Sequence, residues 1–272
     1  MAESTLFSLT GTHNTHRYYL PVEERVTVGP PGKTFLFGGV GLASSIEAME
    51  RTCGRPAIWA TAQYLSYARP GEIVDLDVTV PVHGNYNSQA RVIGHVEDRE
   101  IFTVNAALGA RPSGLSDQWS PMPDAPAPED CPPMRQWQSD QDDLNAQLDI
   151  RVAKGRFGPE REQGGRSPDG ETVLWARTRA GHPCTSAALA IIADFVPSAA
   201  GHALGRNAGA NSLDNTLRIR RLVPTDWVLC RTQIQGIHGG FIHGSMLLFA
   251  QDGDLMAVAS QSGILRVFED PK

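Results

Sequence analysis

The 272 residues carry 24 Lys and Arg against 30 Asp and Glu, a net charge of −6 with the two signs interspersed, which argues against a nucleic-acid partner because that needs a basic face. Cys53, Cys131, Cys184 and Cys230 stand far apart with no C-x-x-C, a pattern that fits free thiols in a reducing cytoplasm better than a disulfide scaffold. No apolar run reaches the length of a membrane span, and residues 1–15 lack the basic-then-apolar pattern of a signal peptide.

In chain order, residues 16–28 read as a strand, followed by the turn Gly29-Pro30-Pro31-Gly32. A helix is predicted over 40–53, where Leu42, Ala43, Ile46, Met49 and Cys53 recur at helical spacing and Gly54-Arg55-Pro56 ends the run. Strands follow at 57–68, 73–82, 88–96 and 101–111. Val74, Leu76, Val78 and Val80 alternate with Asp75, Asp77, Thr79 and Pro81, so that sheet has one buried face. Residues 112–133 hold seven prolines and read as an extended linker. Two strands, 148–153 and 172–179, flank a Gly-rich charged loop. A helix over 185–196 is apolar nearly all round, with Thr185 or Ser186 to cap it and Pro197 to stop it. Four last strands are expected at 211–222, 227–235, 241–250 and 255–267.

The order strand, helix, four strands thus occurs twice. Residues 87–111 align with 242–266 without a gap, each with an acidic turn in the middle and an Arg at the end. The expected fold class is α+β, a double hotdog with two antiparallel sheets, each wrapped around a long central helix. Its units are residues 1–111 and 146–272, joined by a Pro-rich linker at 112–145.

The polar residues then point to a site. Leu255, Ala257, Ala259, Gln261, Gly263 and Leu265 share one strand face, and Gln261 is the polar member. A buried amide must find a partner. The gapless alignment sets Ala106 opposite Gln261, and aligning Arg69 with Arg221 sets Ala62 opposite Asp214. That asymmetry suggests one working site, in the second half. On the strand pattern alone, Gln261 reads equally as a core amide bonded to backbone and Asp214 as a solvated residue. Gly38 and Gly39 precede the first helix, and the N–H groups around Gly38, Gly39 and Val40 offer an oxyanion the positive end of a helix dipole. There is no G-x-S-x-G nucleophile elbow. His238 and His243 have no carboxylate or cysteine at ligand spacing, so neither a metal nor a cofactor is expected.

Six stretches carry a family resemblance: FGGVGLASSIEA, YARPGEIVDLDVTV, MPDAPAPEDCPPM, ALAIIADF, SLDNTLRIRRLVPTDWVL and QDGDLMAVASQSGILRV. In this order they resemble the acyl-CoA thioesterase II family of tandem hotdog proteins. The resemblance implies hydrolysis of fatty acyl-CoA by a water held by an Asp, a Ser or Thr, and a Gln of the second half. Asp214 of SLDN matches the Asp, and Gln261 of ASQSG matches the Gln. The third position falls near Gln235, a departure from Ser or Thr. Tyr64 stands where the family often has His before its R-P-G turn, and Val40 where Gln commonly follows Gly-Gly. The expectation is that Asp214→Asn abolishes turnover. The resemblance further implies a cytoplasmic homodimer or homotetramer acting on acyl-CoA. Two other readings are a hotdog hydratase or dehydratase, with His182 or His202 paired to Asp214, and an acyl-CoA binding protein with degraded catalysis.

Overall fold

The computed structural model describes residues 6–134, 142–158, 164–179, 181 and 184–268. Four short strands come first, β1 (Thr10–Gly11), β2 (Arg17–Pro21), β3 (Thr27–Val28) and β4 (Phe35–Leu36). The helix α1 (Gly38–Cys53) follows, beginning at the glycine pair rather than after it. It ends where Gly54 turns to φ 64°, a left-handed conformation that costs glycine little. Next come β5 (Ala57–Tyr64), β6 (Ile73–His83), β7 (Asn87–Val96) and β8 (Arg99–Gly109). The second half holds β9 (Leu148–Lys154), β10 (Glu171–Thr178), α2 (Ser186–Ala193) and the five-residue α3 (Ala200–Leu204). The chain closes with β11 (Ala208–Ser212), β12 (Asp214–Ile219), β13 (Val228–His238), β14 (Phe241–Ala250) and β15 (Leu255–Val267).

The duplication is visible in the numbering. β6 and β13 differ by 155 residues at both ends, Ile73 against Val228 and His83 against His238. The sheet register carries the same offset. β5 pairs with β12 antiparallel so that Thr61 faces Thr216, and their hydroxyls bond across the pair at 2.7 Å. Thr61 and Thr216 therefore lie on the pseudo-twofold axis that relates the halves.

Two separate sheets were expected, but the structure joins them. Strands run β1-β2-β6-β7-β8-β5-β12-β15-β14-β13-β10-β9 in one antiparallel sheet, with β11 pairing to β15 beside that path. The physical reason is the β5–β12 contact. Each strand would be the open edge of its own half, and pairing satisfies both rows of backbone donors and acceptors.

The second helix is shorter than expected. Thr185 caps it by accepting from the Ala188 N–H at 3.1 Å, but α2 stops at Ala193, before the turn that contains Pro197. The apolar stretch Ser186–Leu204 has the length and composition of a membrane span, yet most of it is buried inside the fold. α1 and α2 pack against each other with opposite direction. Glu50, near the end of α1, accepts from Ser186 Oγ at the start of α2 at 3.0 Å. At the other end, Gly39 at the start of α1 meets the last residues of α2. Leu42, Ile46, Met49, Leu189 and Ile191 are fully buried in the joint core.

The proline-rich segment lies along the second half. Trp175 Nε1 donates to the Pro126 carbonyl at 2.9 Å, and Met122, Ala125 and Cys131 pack with Trp175, Trp227 and Phe249.

Candidate active site

The most unusual group in the fold is Asp194, directly after α2. It is the one ionisable side chain of the run TSAALAIIADFV, and it is only 4% exposed. A carboxylate at a helix C-terminus meets the negative end of that dipole. Here the start of α1 compensates, because the Gly39 N–H donates to Asp194 Oδ2 at 2.5 Å. The approach is close enough to require glycine. A Cβ on Gly39 would stand 2.9 Å from Asp194 Cβ and 3.0 Å from Ile191 Cα. A Cβ on Gly38 would stand 2.9 Å from Asp194 Oδ2 and 3.1 Å from Tyr64 Oη.

Three polar side chains from the last strands complete the surroundings. Gln261, 3% exposed on β15, donates through Nε2 to Asp194 Oδ1 and to Ser212 Oγ, the latter at 3.0 Å. Asn215, fully buried on β12, donates to Asp194 Oδ1 at 3.3 Å. A carboxylate only accepts, so both amides turn their NH2 groups toward it and leave their oxygens facing away. Burial pushes the Asp194 carboxyl up to about 7, while donors from Gln261, Gly39, Asn215 and Ser212 pull it back. Tyr64 Oη, Asn215 Oδ1 and Gln261 Oε1 are buried without a hydrogen bond to any described residue. Buried polar atoms are normally satisfied, so three orphans around one carboxylate mark a place built for a polar guest.

A break in the strand explains this arrangement. Continuous pairing would put Ser212 and Asp214 on one face. Instead the chain bends at Leu213, between β11 and β12. Ser212 then reaches Gln261 while Asn215, rather than Asp214, is buried beside Asp194.

The expected site residues divide accordingly. Gln261 sits on the buried face with polar partners, as its strand period suggested. Asp214 is directed away from that group: its Oδ1 accepts from the Ser262 N–H at 2.8 Å. Gln235 is exposed on β13, with its amide on Ser245 Oγ at 2.5 Å. Gly38 and Gly39 do line the site, but the Gly39 N–H is taken by Asp194 and the Val40 N–H by the Phe37 carbonyl at 3.0 Å. Neither N–H is free for an oxyanion.

The first-half counterparts also shift. With Thr61 and Thr216 on the axis, the residues equivalent to Asn215 and Gln261 are Ala60 and Ala106, which face each other across β5 and β8. Ala62 corresponds instead to Leu217. His202 lies against Gly155 and Thr172, and His182 lies outside the described residues. Arg220 and Arg221 pair with Asp254 at 3.6 and 3.0 Å. No group of three metal-ligating side chains occurs among the described residues.

Residues 128–265 match the sequence profile of the acyl-CoA thioesterase C-terminal domain. The chain belongs to the acyl-CoA thioesterase family. It is thereby a thioester hydrolase. The similarity extends to solved structures. One from Novosphingobium aromaticivorans, provisionally described as a thioesterase, is 35% identical, with TM-score 0.85 over 95% of this chain and 98% of its own. A hot-dog-fold protein from Alicyclobacillus acidocaldarius is 18% identical, with TM-score 0.82 over 97% of each chain. An acyl-CoA thioesterase II from Mycobacterium marinum is 23% identical, with TM-score 0.73 over 96% of this chain and 97% of its own. The hotdog fold of this thioesterase is therefore shared with both. A comparison with curated proteins finds no match.

Proposed function

We infer that this thioesterase hydrolyses fatty acyl-CoA with a water activated by Asp194 and oriented by Gln261 and Ser212. In this reading the Asp, the Ser and the Gln that the resemblance implies are Asp194, Ser212 and Gln261, in place of Asp214 and Gln235. The observation that carries this reading is the buried Asp194 carboxyl, bonded by Gln261 and pushed up to about 7. A base with that value accepts a proton readily near neutrality and returns it. Asn215 and the α1 N-terminus hold the carboxylate in one orientation.

The steps balance without a covalent enzyme intermediate. Water oxygen attacks the thioester carbon, its proton passes to Asp194, and the carbonyl π pair moves onto oxygen. Collapse re-forms the carbonyl and breaks the C–S bond. The departing CoA thiolate takes the proton back from Asp194. Two or four copies of the chain, the expected assembly, remain part of this proposal.

Three expected outcomes test the roles around Asp194. Its ionised form is the active one, so kcat/KM rises with pH and reaches half its plateau near pH 7. Tyr64 faces it from β5, with Asp214 farther along β12. Gln261→Leu removes a donor that favours the carboxylate, so the acid limb moves to higher pH and kcat falls by roughly a hundredfold. A limb that stays in place counts against Gln261 as a partner of the base. Asp214→Asn, by contrast, keeps an oxygen for the Ser262 N–H. It costs about 1 kcal/mol or less of stability and leaves turnover within about threefold, measured by thiol release. A complete loss there would return the role to Asp214.

A further inference from the structure

The tetrahedral oxyanion needs a donor, and two of the three donors first expected for it, on Gly39 and Val40, are occupied. Gly39 N–H serves Asp194, and Val40 N–H serves the Phe37 carbonyl. Both Nε2 protons of Gln261 are used, on Asp194 and Ser212. Tyr64 differs from these groups. The residue is half-buried and its hydroxyl is buried, with Asn215 beside it but no completed hydrogen bond to a described residue. The backbone fixes its place, since Tyr64 N–H donates to the Leu213 carbonyl at 3.0 Å, at the bend that admits Ser212 and Asn215 to the site. Tyr64 Oη and Asp194 Oδ2 each lie within about 3 Å of one point, the position a Cβ on Gly38 would take. The carboxylate and the phenol thus close on Gly38 from two sides, so near that only glycine fits between them.

We propose that the Tyr64 hydroxyl donates a hydrogen bond to the carbonyl oxygen of the bound thioester and to the oxyanion formed from it. The proton stays on the phenol throughout, so the hydroxyl acts as a fixed dipole. Burial, then the charge of Asp194, holds that hydroxyl well above its ordinary value, so it remains a donor at any working pH. A half-buried residue with a buried hydroxyl suits a group that meets a substrate arriving from outside. The inference rests on the assignment of Asp194 as base.

The test uses two readouts. Tyr64→Phe keeps the ring and removes the donor. The expected result is a fall in kcat of about a hundredfold with KM within about threefold, since oxyanion donors act in the transition state. The second readout is the infrared carbonyl stretch of a 13C-labelled ketone analogue of acyl-CoA, with the sulfur replaced by CH2 and the best-hydrolysed chain length. The stretch should lie lower on the wild-type protein than on Tyr64→Phe. Equal stretches, or a kcat within threefold of wild type, overturn the proposal. If the variant does not fold, the wild-type spectrum decides: a stretch no lower than that of the free analogue in water overturns it. An inactive Asp194→Asn beside an active Tyr64→Phe removes Tyr64 alone. An active Asp194→Asn removes the base assignment, and the infrared result still decides Tyr64.

Discussion

Asp194→Asn is expected to lower kcat by about a thousandfold, the contribution of a positioned general base, while the protein still folds. The size follows from what the substitution removes. Asn is nearly isosteric and cannot take a proton from water near neutrality. Its NH2 faces a donor on either side, so either the Gly39 bond or those from Gln261 and Asn215 are lost or flipped, while the packing around them stays in place. The residual rate should lose the acid limb near pH 7, because the titrating group is gone. Stability moves in a direction that can be stated. A carboxyl raised from its ordinary 3.8 to about 7 is bound more tightly to its proton in the folded chain. Its contribution to stability is therefore full below about pH 4 and lost as pH rises through about 7. Asp194→Asn should flatten that part of the stability profile.

Gly39→Ala is expected to destabilise the protein by about 3 kcal/mol or more, against a gain of at most about 1 kcal/mol from better helix propensity. Overpacking wins because two of the three contacts cannot move cheaply. The new Cβ would meet Phe37 Cε1 at 2.8 Å, which a ring can partly relieve, but also Asp194 Cβ at 2.9 Å and Ile191 Cα at 3.0 Å. Backbone and a tethered carboxylate must yield, so α1 and α2 separate and the Gly39–Asp194 bond lengthens. A thermal melt should show a loss of roughly 10 °C, with activity falling alongside. An unchanged melting temperature would mean that the helices do not need this close approach.

Much of the fold was legible because period and duplication repeat a signal. The strand period put Gln261 on a buried face, and the buried amide did require polar partners. The gapless alignment of 87–111 with 242–266 carries the offset that the sheet shows between β6 and β13. The expected separation of two sheets failed because the pairing of β5 with β12 is a long-range contact that neither strand signals alone.

The site was harder to read for two local reasons. A period-two pattern assumes an unbroken strand, and the bend at Leu213 exchanges which neighbours point inward. The strand pattern therefore points to Asp214, whereas the structure buries Asn215 and brings Ser212 to Gln261. Asp194 is masked by its helix, because an apolar run signals burial more strongly than its one acid signals a site. That acid was the available signal, since a lone carboxylate in a fully buried run is costly unless it is met by donors or put to use. In sequence, the glycine pair signals N–H groups at a helix start. Its larger consequence is the close approach of α1 to Asp194.

In the proposed mechanism Asp194, and not Asp214, activates the water. Thiol release from one acyl-CoA by Asp194→Asn and Asp214→Asn, side by side at pH 8, tests it most directly. The site described here predicts a nearly silent Asp194→Asn and an Asp214→Asn close to wild type. The reverse pattern would contradict it.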